Sequence, residues 1–271
     1  MSSITPLLKP NGEWNLLLLN KVVFLTGGGG YIAQSIAHTC YSHGAKIVLA
    51  DINKQAALNT KQQILSENNH NDDSRILVVE LDIANDDSNK NAVNYVISKW
   101  NTINILINTA AIYPAGNIET TSEDDWLKTL NVNVKGSALV TKHIVPVMKQ
   151  NQGQYSSIVL FASATGMIAF PLLMAYSTTK AAVIELTKSL ALELGQYNIR
   201  VNSISPDSPA LFEAAKRLNI PDDVYRVNTS GKCIKRLGQA QELANMIVFL
   251  VSDLCPFCTG ANIVVDGGLI I

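Results

Sequence analysis

Short apolar, β-branched runs alternate along the chain with longer stretches whose apolar positions recur every three or four residues. Val22 to Thr26 is the first such run and ends in four glycines. Ile32, Ile36, Ala37 and Cys40 then mark a helix over 32–43, and Ala45 to Ala50 forms a second run. Residues 53–67 read as a polar-faced helix, and the Asn/Asp-rich stretch 68–74 as a loop. Ile76 to Leu81 and Ile103 to Ile107 read as strands, with a helix over 86–100 between them. A helix over 123–150 leads to a strand from Ser157 to Phe161, and one over 175–195 leads to Arg200 to Ile204. Ile263 to Val265 closes the series. A strand with one wet face alternates in polarity, whereas these runs are apolar throughout. They predict an α/β fold, a doubly wound parallel sheet with helices on both faces. No compositional break, repeat or low-complexity segment divides the chain, so a single domain over 1–271 is expected.

Composition narrows the function. The 271 residues are 47% hydrophobic and 16% charged, with 21 basic against 22 acidic side chains, which leaves no global field for nucleic acid or an anionic membrane. No apolar run approaches the roughly 20 residues that span a bilayer. Met1 to Trp14 has no basic start followed by an apolar stretch, so a cytoplasmic protein with a small-molecule substrate is expected. Of the four cysteines, Cys255 and Cys258 have CxxC spacing. A zinc site needs about four ligands, and no second pair or HxxxH accompanies them, so no metal is expected. They read as packed thiols in a loop.

The glycine run carries the first chemistry. Gly28 to Ala33 fits G-x-G-x-x-G/A between a strand and a helix, the turn that lets backbone N–H groups approach a pyrophosphate, while Ala33 permits close helix–strand packing. The helix N-terminus then faces the phosphates with its partial positive charge. Together with the alternating elements this is a Rossmann-like arrangement. Asp51 ends the second strand 21 residues after Gly30, where a carboxylate accepts both ribose hydroxyls and repels a 2′-phosphate. NAD is therefore favoured over NADP.

Tyr176-Ser177-Thr178-Thr179-Lys180 carries the second, with Ser163 thirteen residues upstream. Positions i and i+4 share a helix face, so phenol and ammonium can point into one cleft. A cation about 4 Å away is worth roughly 4 kcal/mol at an effective dielectric of 20, enough to lower a phenol pKa by up to about three units. The pair could then exchange a proton with a substrate oxygen near neutral pH, and Ser163 could orient that oxygen.

Between residues 20 and 268, the order and spacing of these landmarks resemble the compact branch of the short-chain dehydrogenase/reductase family. The resemblance rests on Thr26-Gly27 and the following glycines, Asp51, Leu81-Asp82-Ile83, Asn108-Thr109-Ala110-Ala111, Asn131 to Gly136, Ser163, Tyr176, Lys180, Arg200-Val201-Asn202 before Pro206, and Val265-Asp266-Gly267-Gly268. It implies Tyr176 as general acid/base, Ser163 as the group that positions the carbonyl, and Lys180 as holder of the nicotinamide ribose and tuner of Tyr176. Asn133 would sit at a helix irregularity and support a proton-relay water. Thr26, Gly27, Gly30, Tyr31 and Ile32 would carry the phosphates, Asp82 and Ile83 would flank the adenine, Asn108 and Ala110 would line the cofactor cleft, and Ile204 and Pro206 would lie beside the nicotinamide. On their own residues, Asn108 could equally cap a strand and Asn133 bond backbone in a helix.

The chain departs from the compact pattern at several places. Tyr31 and Ala33 stand where that branch has glycines, a reading closer to the extended branch acting on nucleotide sugars, whose larger substrate domain has no room after Gly268. Thr109 and Ala111 alter the Asn-Asn-Ala-Gly turn, and Asp207 replaces the glycine after Pro206. The variable substrate loop falls at 207–238, mixing Leu211, Phe212, Val224 and Tyr225 with Lys216, Arg217, Arg226, Lys232, Lys235 and Arg236. Its positive excess suits an anionic substrate or a solvated helical face. Met167, Phe170 and Leu172 are candidates for apolar pocket lining or core. The apolar ending Leu269 to Ile271, with the family's habit, predicts a homotetramer. Three functions stay open: an NAD-dependent dehydrogenase or ketone reductase for a small polar substrate such as a sugar or polyol; a 3-oxoacyl-thioester reductase, against whose usual NADPH Asp51 argues; and a catalytically silent nucleotide-binding scaffold.

Overall fold

The computed structural model describes residues 16–67, 73–151, 155–207 and 231–271. Seven parallel strands form one sheet: β1 (Val22–Thr26), β2 (Lys46–Asp51), β3 (Ile76–Glu80), β4 (Ile105–Asn108), β5 (Ser156–Phe161), β6 (Ile199–Pro206) and β7 (Asn262–Val265). Their order is β3-β2-β1-β4-β5-β6-β7. Thr26 pairs with Ala50 on one side and Asn108 on the other, so the carboxyl ends of the central strands finish together. Successive connections run outward in opposite directions from β1 and β4, and that reversal opens a crevice beyond their carboxyl ends.

Alternate strand residues serve opposite faces. Val23, Leu25, Ile47 and Leu49 pack under α1 (Tyr31–Ser42), α2 (Lys54–Glu67) and a C-terminal helix, whereas Val22, Phe24, Val48 and Ala50 pack with α3 (Asp86–Trp100) and the later helices that follow β4 and β5. Each such fully buried Val, Leu or Ile contributes about 1.5–3 kcal/mol of transfer free energy, which is why both faces must be apolar. Asn85 caps α3 by accepting from Ser88 N, and Asn101 ends it at φ 58°, in the left-handed region that asparagine tolerates. The elements expected from the pattern fall within two residues of those observed; of the expected loop 68–74, residues 68–72 lie outside the described ones.

Two differences matter. The single helix expected over 123–150 is α4 (Glu123–Thr129), a π-helical segment Leu130–Gly136, and α5 (Ser137–Met148). Wider π turns interrupt α-helices mostly at functional sites, and this one holds Asn133. The second is an unforeseen helix, α7 (Ala240–Val251), after α6 (Met174–Leu194). Its buried positions Ala240, Leu243, Ala244, Ile247, Val248, Leu250 and Val251 cover a wide arc, Met246 packs partly against the same core and Phe249 is apolar but exposed, so the contrast between faces is blurred. Cys255 and Cys258 follow it, half-buried against the core, with Cys258 Sγ donating to Asn202 Oδ1 at 3.6 Å. Among the described residues, no helix is long and apolar enough to cross a membrane.

Candidate active site

A cleft of ≈ 680 Å³ runs over the carboxyl ends of the strands, from Asp51, Ile52, Asp82 and Ile83, past Gly27, Gly30, Tyr31 and Ile32, to Ser163, Tyr176, Lys180 and Pro206. The glycine turn forms its floor. Gly27 has φ +64°, and a Cβ there would stand 2.8 Å from Thr109 Oγ1 and 3.0 Å from Ala110 N. Gly29 lets α2 cross the turn closely: a Cβ would lie 2.4 Å from that of Ala56. Gly30 is extended, with no side chain capping α1, so the first-turn N–H groups of the helix remain for an anion. Tyr31 and Ala33 lie inside α1, where no positive φ is required. Ala33 packs in the core, and Tyr31 lines the cleft wall without closing it.

Asp51 is fixed before any ligand arrives. Its Oδ2 accepts from Gly29 N at 2.9 Å and its Oδ1 from Asn53 N at 2.8 Å. Each carboxylate oxygen retains a second lone pair for a ribose hydroxyl. The glycine cradle, open helix N-terminus and anchored carboxylate in one cleft fit a dinucleotide.

Several expected site residues lie behind the cleft. Thr26 is buried, donates to Asn108 Oδ1 at 2.6 Å and accepts from Ala110 N at 3.2 Å. Asn108, expected to line the cleft, is buried too and donates to Ser137 Oγ at 2.7 Å. Thr109 donates to Thr26 O at 2.7 Å. These bonds tie the ends of β1 and β4 to the start of α5, so Ala110 reaches the cleft wall while its neighbours hold it there. Ile204, expected beside the nicotinamide, sits in the core instead, because its strand position points under α7.

Asn133 occupies the irregularity anticipated for it. Its Oδ1 accepts from Ile112 N and its Nδ2 donates to Ile112 O, both at 2.9 Å, and to Thr179 Oγ1 at 3.0 Å. Both amide hydrogens are spent on the loop after β4 and on α6, so the side chain joins elements and has no donor left for a relay water.

Tyr176 and Lys180 stand one turn apart on α6. Lys180 Nζ donates to Phe161 O at 2.6 Å and lies 5.4 Å from the Tyr176 ring centroid. The anticipated lowering of the phenol pKa is absent. Burial pushes Tyr176 up to about 12, against a hydrogen bond from Ser163 that favours the phenolate and with Tyr113 adding to the rise. Burial also pushes Lys180 down to about 7. Desolvation is the largest cause for Tyr176 and the one cause for Lys180, so burial penalises both charged forms more than a neighbouring opposite charge favours them.

The cleft also recruits residues the sequence did not single out. Tyr113, on the loop after β4, meets Tyr176 edge-to-face with centroids 6.1 Å apart, and Thr165 and Leu173 line the same region. Of the apolar candidates, Met167 and Leu172 are exposed and Phe170 is half-buried, and none of the three lines the cleft. Asp207 does line it, ion-paired with the buried Lys232. Arg236 pairs with Glu242 at 2.6 Å, so these two charges of the expected basic segment are already neutralised. Leu211, Phe212, Lys216, Arg217, Val224, Tyr225 and Arg226 lie outside the described residues.

Known proteins resemble this chain in sequence and fold. A family model described as Enoyl-(Acyl carrier protein) reductase matches residues 30–270. An oxidoreductase of Thermotoga maritima described as uncharacterized is 36% identical over 251 residues, 92% of this chain and 96% of the relative. L-sorbose reductase from Gluconobacter frateurii, solved with NADPH and L-sorbose, superposes with a TM-score of 0.85 at 28% identity, covering 94% of this chain and 98% of that one. The 3-ketoacyl-(acyl-carrier-protein) reductase of Brucella melitensis, solved with NADH, gives 0.82 at 29% identity over 94% and 100%. The sheet order, the glycine cradle and these likenesses together settle the ancestry: the chain belongs to the short-chain dehydrogenase/reductase family of NAD(P)-dependent oxidoreductases acting on CH–OH groups.

Proposed function

We propose that the protein transfers a hydride between NAD(H) and a small polar alcohol or ketone, such as a sugar or polyol. The observation that carries this reading is one continuous cleft with the anchored Asp51 carboxylate at one end and Ser163, Tyr176 and Lys180 at the other. The nicotinamide, when bound, supplies the hydride acceptor or donor. Gly27, Gly30, Tyr31 and Ile32 would hold the phosphates, Asp51 the adenosine ribose, Asp82 and Ile83 the adenine, and Ala110, Lys180 and Pro206 the nicotinamide riboside. Thr26, Asn108 and Asn133 support these walls from behind. Tyr176, kept as a neutral phenol by burial, gives its proton to the substrate oxygen during reduction and recovers it during oxidation, while Ser163 donates to the same oxygen.

A panel of sugars, polyols and their ketones, followed by nicotinamide absorbance with each cofactor, tests the proposal. Turnover with NAD⁺ on a polyol is the expected result. Tighter NADPH than NADH binding, or tight NADH binding without turnover on any alcohol or ketone, would overturn it, the latter in favour of a silent scaffold. The thioester reductase stays as a second reading, since its Brucella representative is solved with NADH and a carboxylate at position 51 no longer separates the two. Acetoacetyl-thioester reduction faster than any polyol reaction would install it.

A homotetramer is part of the same reading. Leu127, Leu192, Phe249 and Phe257 are exposed, and Ile271 is 95% exposed, apolar side chains that contact between subunits would cover. The tail is turned by Asp266, whose carboxylate accepts from Gly268 N at 2.8 Å and Ile270 N at 3.0 Å. Light scattering should return a four-chain mass; a monomer would refute the assembly.

A further inference from the structure

A serine hydroxyl has one proton to give and two lone pairs to fill. On Ser163, one lone pair is taken by Thr165 N, 3.2 Å away, and an N–H can only donate. Thr165 Oγ1 lies 3.1 Å from the same Ser163 oxygen. Ser163 in turn hydrogen-bonds Tyr176, and all three residues line the cleft. Two chain directions are therefore available. If Thr165 donates, both Ser163 lone pairs are full and its proton points to the substrate oxygen or to a Tyr176 phenolate. If Thr165 accepts, Ser163 spends its proton away from the cleft and its open lone pair takes the Tyr176 proton, which holds that proton back from the substrate.

We propose that Thr165 is a positioning residue that acts through Ser163: its hydroxyl donates to Ser163 Oγ and so keeps Ser163 as a donor toward the reacting oxygen. This rests on the reading of Tyr176 as the acid/base. In reduction the carbonyl carbon takes the hydride, and the carbonyl oxygen takes the Tyr176 proton as the C=O π pair becomes the O–H bond. The Ser163 proton stays on Ser163 throughout and turns from substrate oxygen to phenolate. The site therefore needs a fixed donor behind Ser163 at both stages.

Thr165→Val removes the hydroxyl with little change of shape, and Thr165→Ser returns it without the methyl group. With the best polyol of the panel and NAD⁺, Thr165→Val should lower kcat by roughly three- to tenfold, the loss of about one hydrogen bond, with KM near the parent value. The acidic limb of its kcat profile should move up by about half a pH unit to one unit, since the phenolate loses its donor. Thr165→Ser should restore both. Thr165→Val within twofold of the parent at every pH, or Thr165→Ser as impaired as Thr165→Val, would overturn the proposal and leave the acid/base reading standing. A parent protein without turnover on any alcohol or ketone overturns that reading and this proposal together.

Discussion

Replacing Tyr176 with phenylalanine should lower kcat by about 10²- to 10⁴-fold, the usual worth of a positioned general acid, while NADH affinity stays near that of the parent. The ring is half-buried on α6 and meets Tyr113 edge-to-face, and a phenyl ring can keep both the packing and the contact. What disappears is the proton at Oη and the hydrogen bond with Ser163. Burial places that proton on a group with a pKa of about 12, so at neutral pH the phenol is almost fully protonated and well supplied as a donor for ketone reduction. Alcohol oxidation needs the opposite form and should be the more pH-sensitive direction, rising with pH as the phenolate becomes accessible. Turnover followed by nicotinamide absorbance, beside a fluorescence titration with NADH, separates chemistry from binding. A variant within tenfold of the parent kcat would show that another group moves the proton.

The parts of this arrangement that were legible beforehand are those written in local spacing. Strands buried on both faces announce themselves as unbroken apolar runs, and the four-residue step from Tyr176 to Lys180 places both on one face whatever else the fold does. Asp51 was legible because it ends a strand a fixed distance after the glycines. What could not be read depends on contacts between distant segments. Nothing near Tyr113 says that the loop after β4 swings over Tyr176, and nothing near Asn108 says that Thr26 and Ser137 will absorb its hydrogen bonds. The electrostatics failed for the same reason: an ion-pair estimate from helix spacing contains a distance but no burial, and burial governs both Tyr176 and Lys180. Helix α7 is a different case. Its helical spacing is present in the sequence, hidden because the buried arc is wide and Phe249 outside it is apolar as well.

Asp51→Ser should shift the ratio of kcat/KM for NAD⁺ over NADP⁺ by about 10²-fold toward NADP⁺. A 2′-phosphate would bring at least one further negative charge to the cleft end where the carboxylate sits. At about 4 Å and an effective dielectric of 20, one such pair costs roughly 4 kcal/mol, or nearly 10³-fold, and solvent at this half-buried position reduces that figure. The carboxylate cannot swing aside to relieve the repulsion, because Gly29 N and Asn53 N hold one oxygen each at 2.9 and 2.8 Å. Serine removes the charge, and it also removes the acceptor that braces the glycine turn, so part of the change should be a loss with NAD⁺ as well as a gain with NADP⁺. The two contributions separate by salt. Added salt should weaken the parent's discrimination against NADP⁺, which is Coulombic, and leave the variant's ratio nearly unchanged. An unaltered ratio in the variant would mean that the phosphate is excluded by shape, and the charge at position 51 would then have no part in choosing the cofactor.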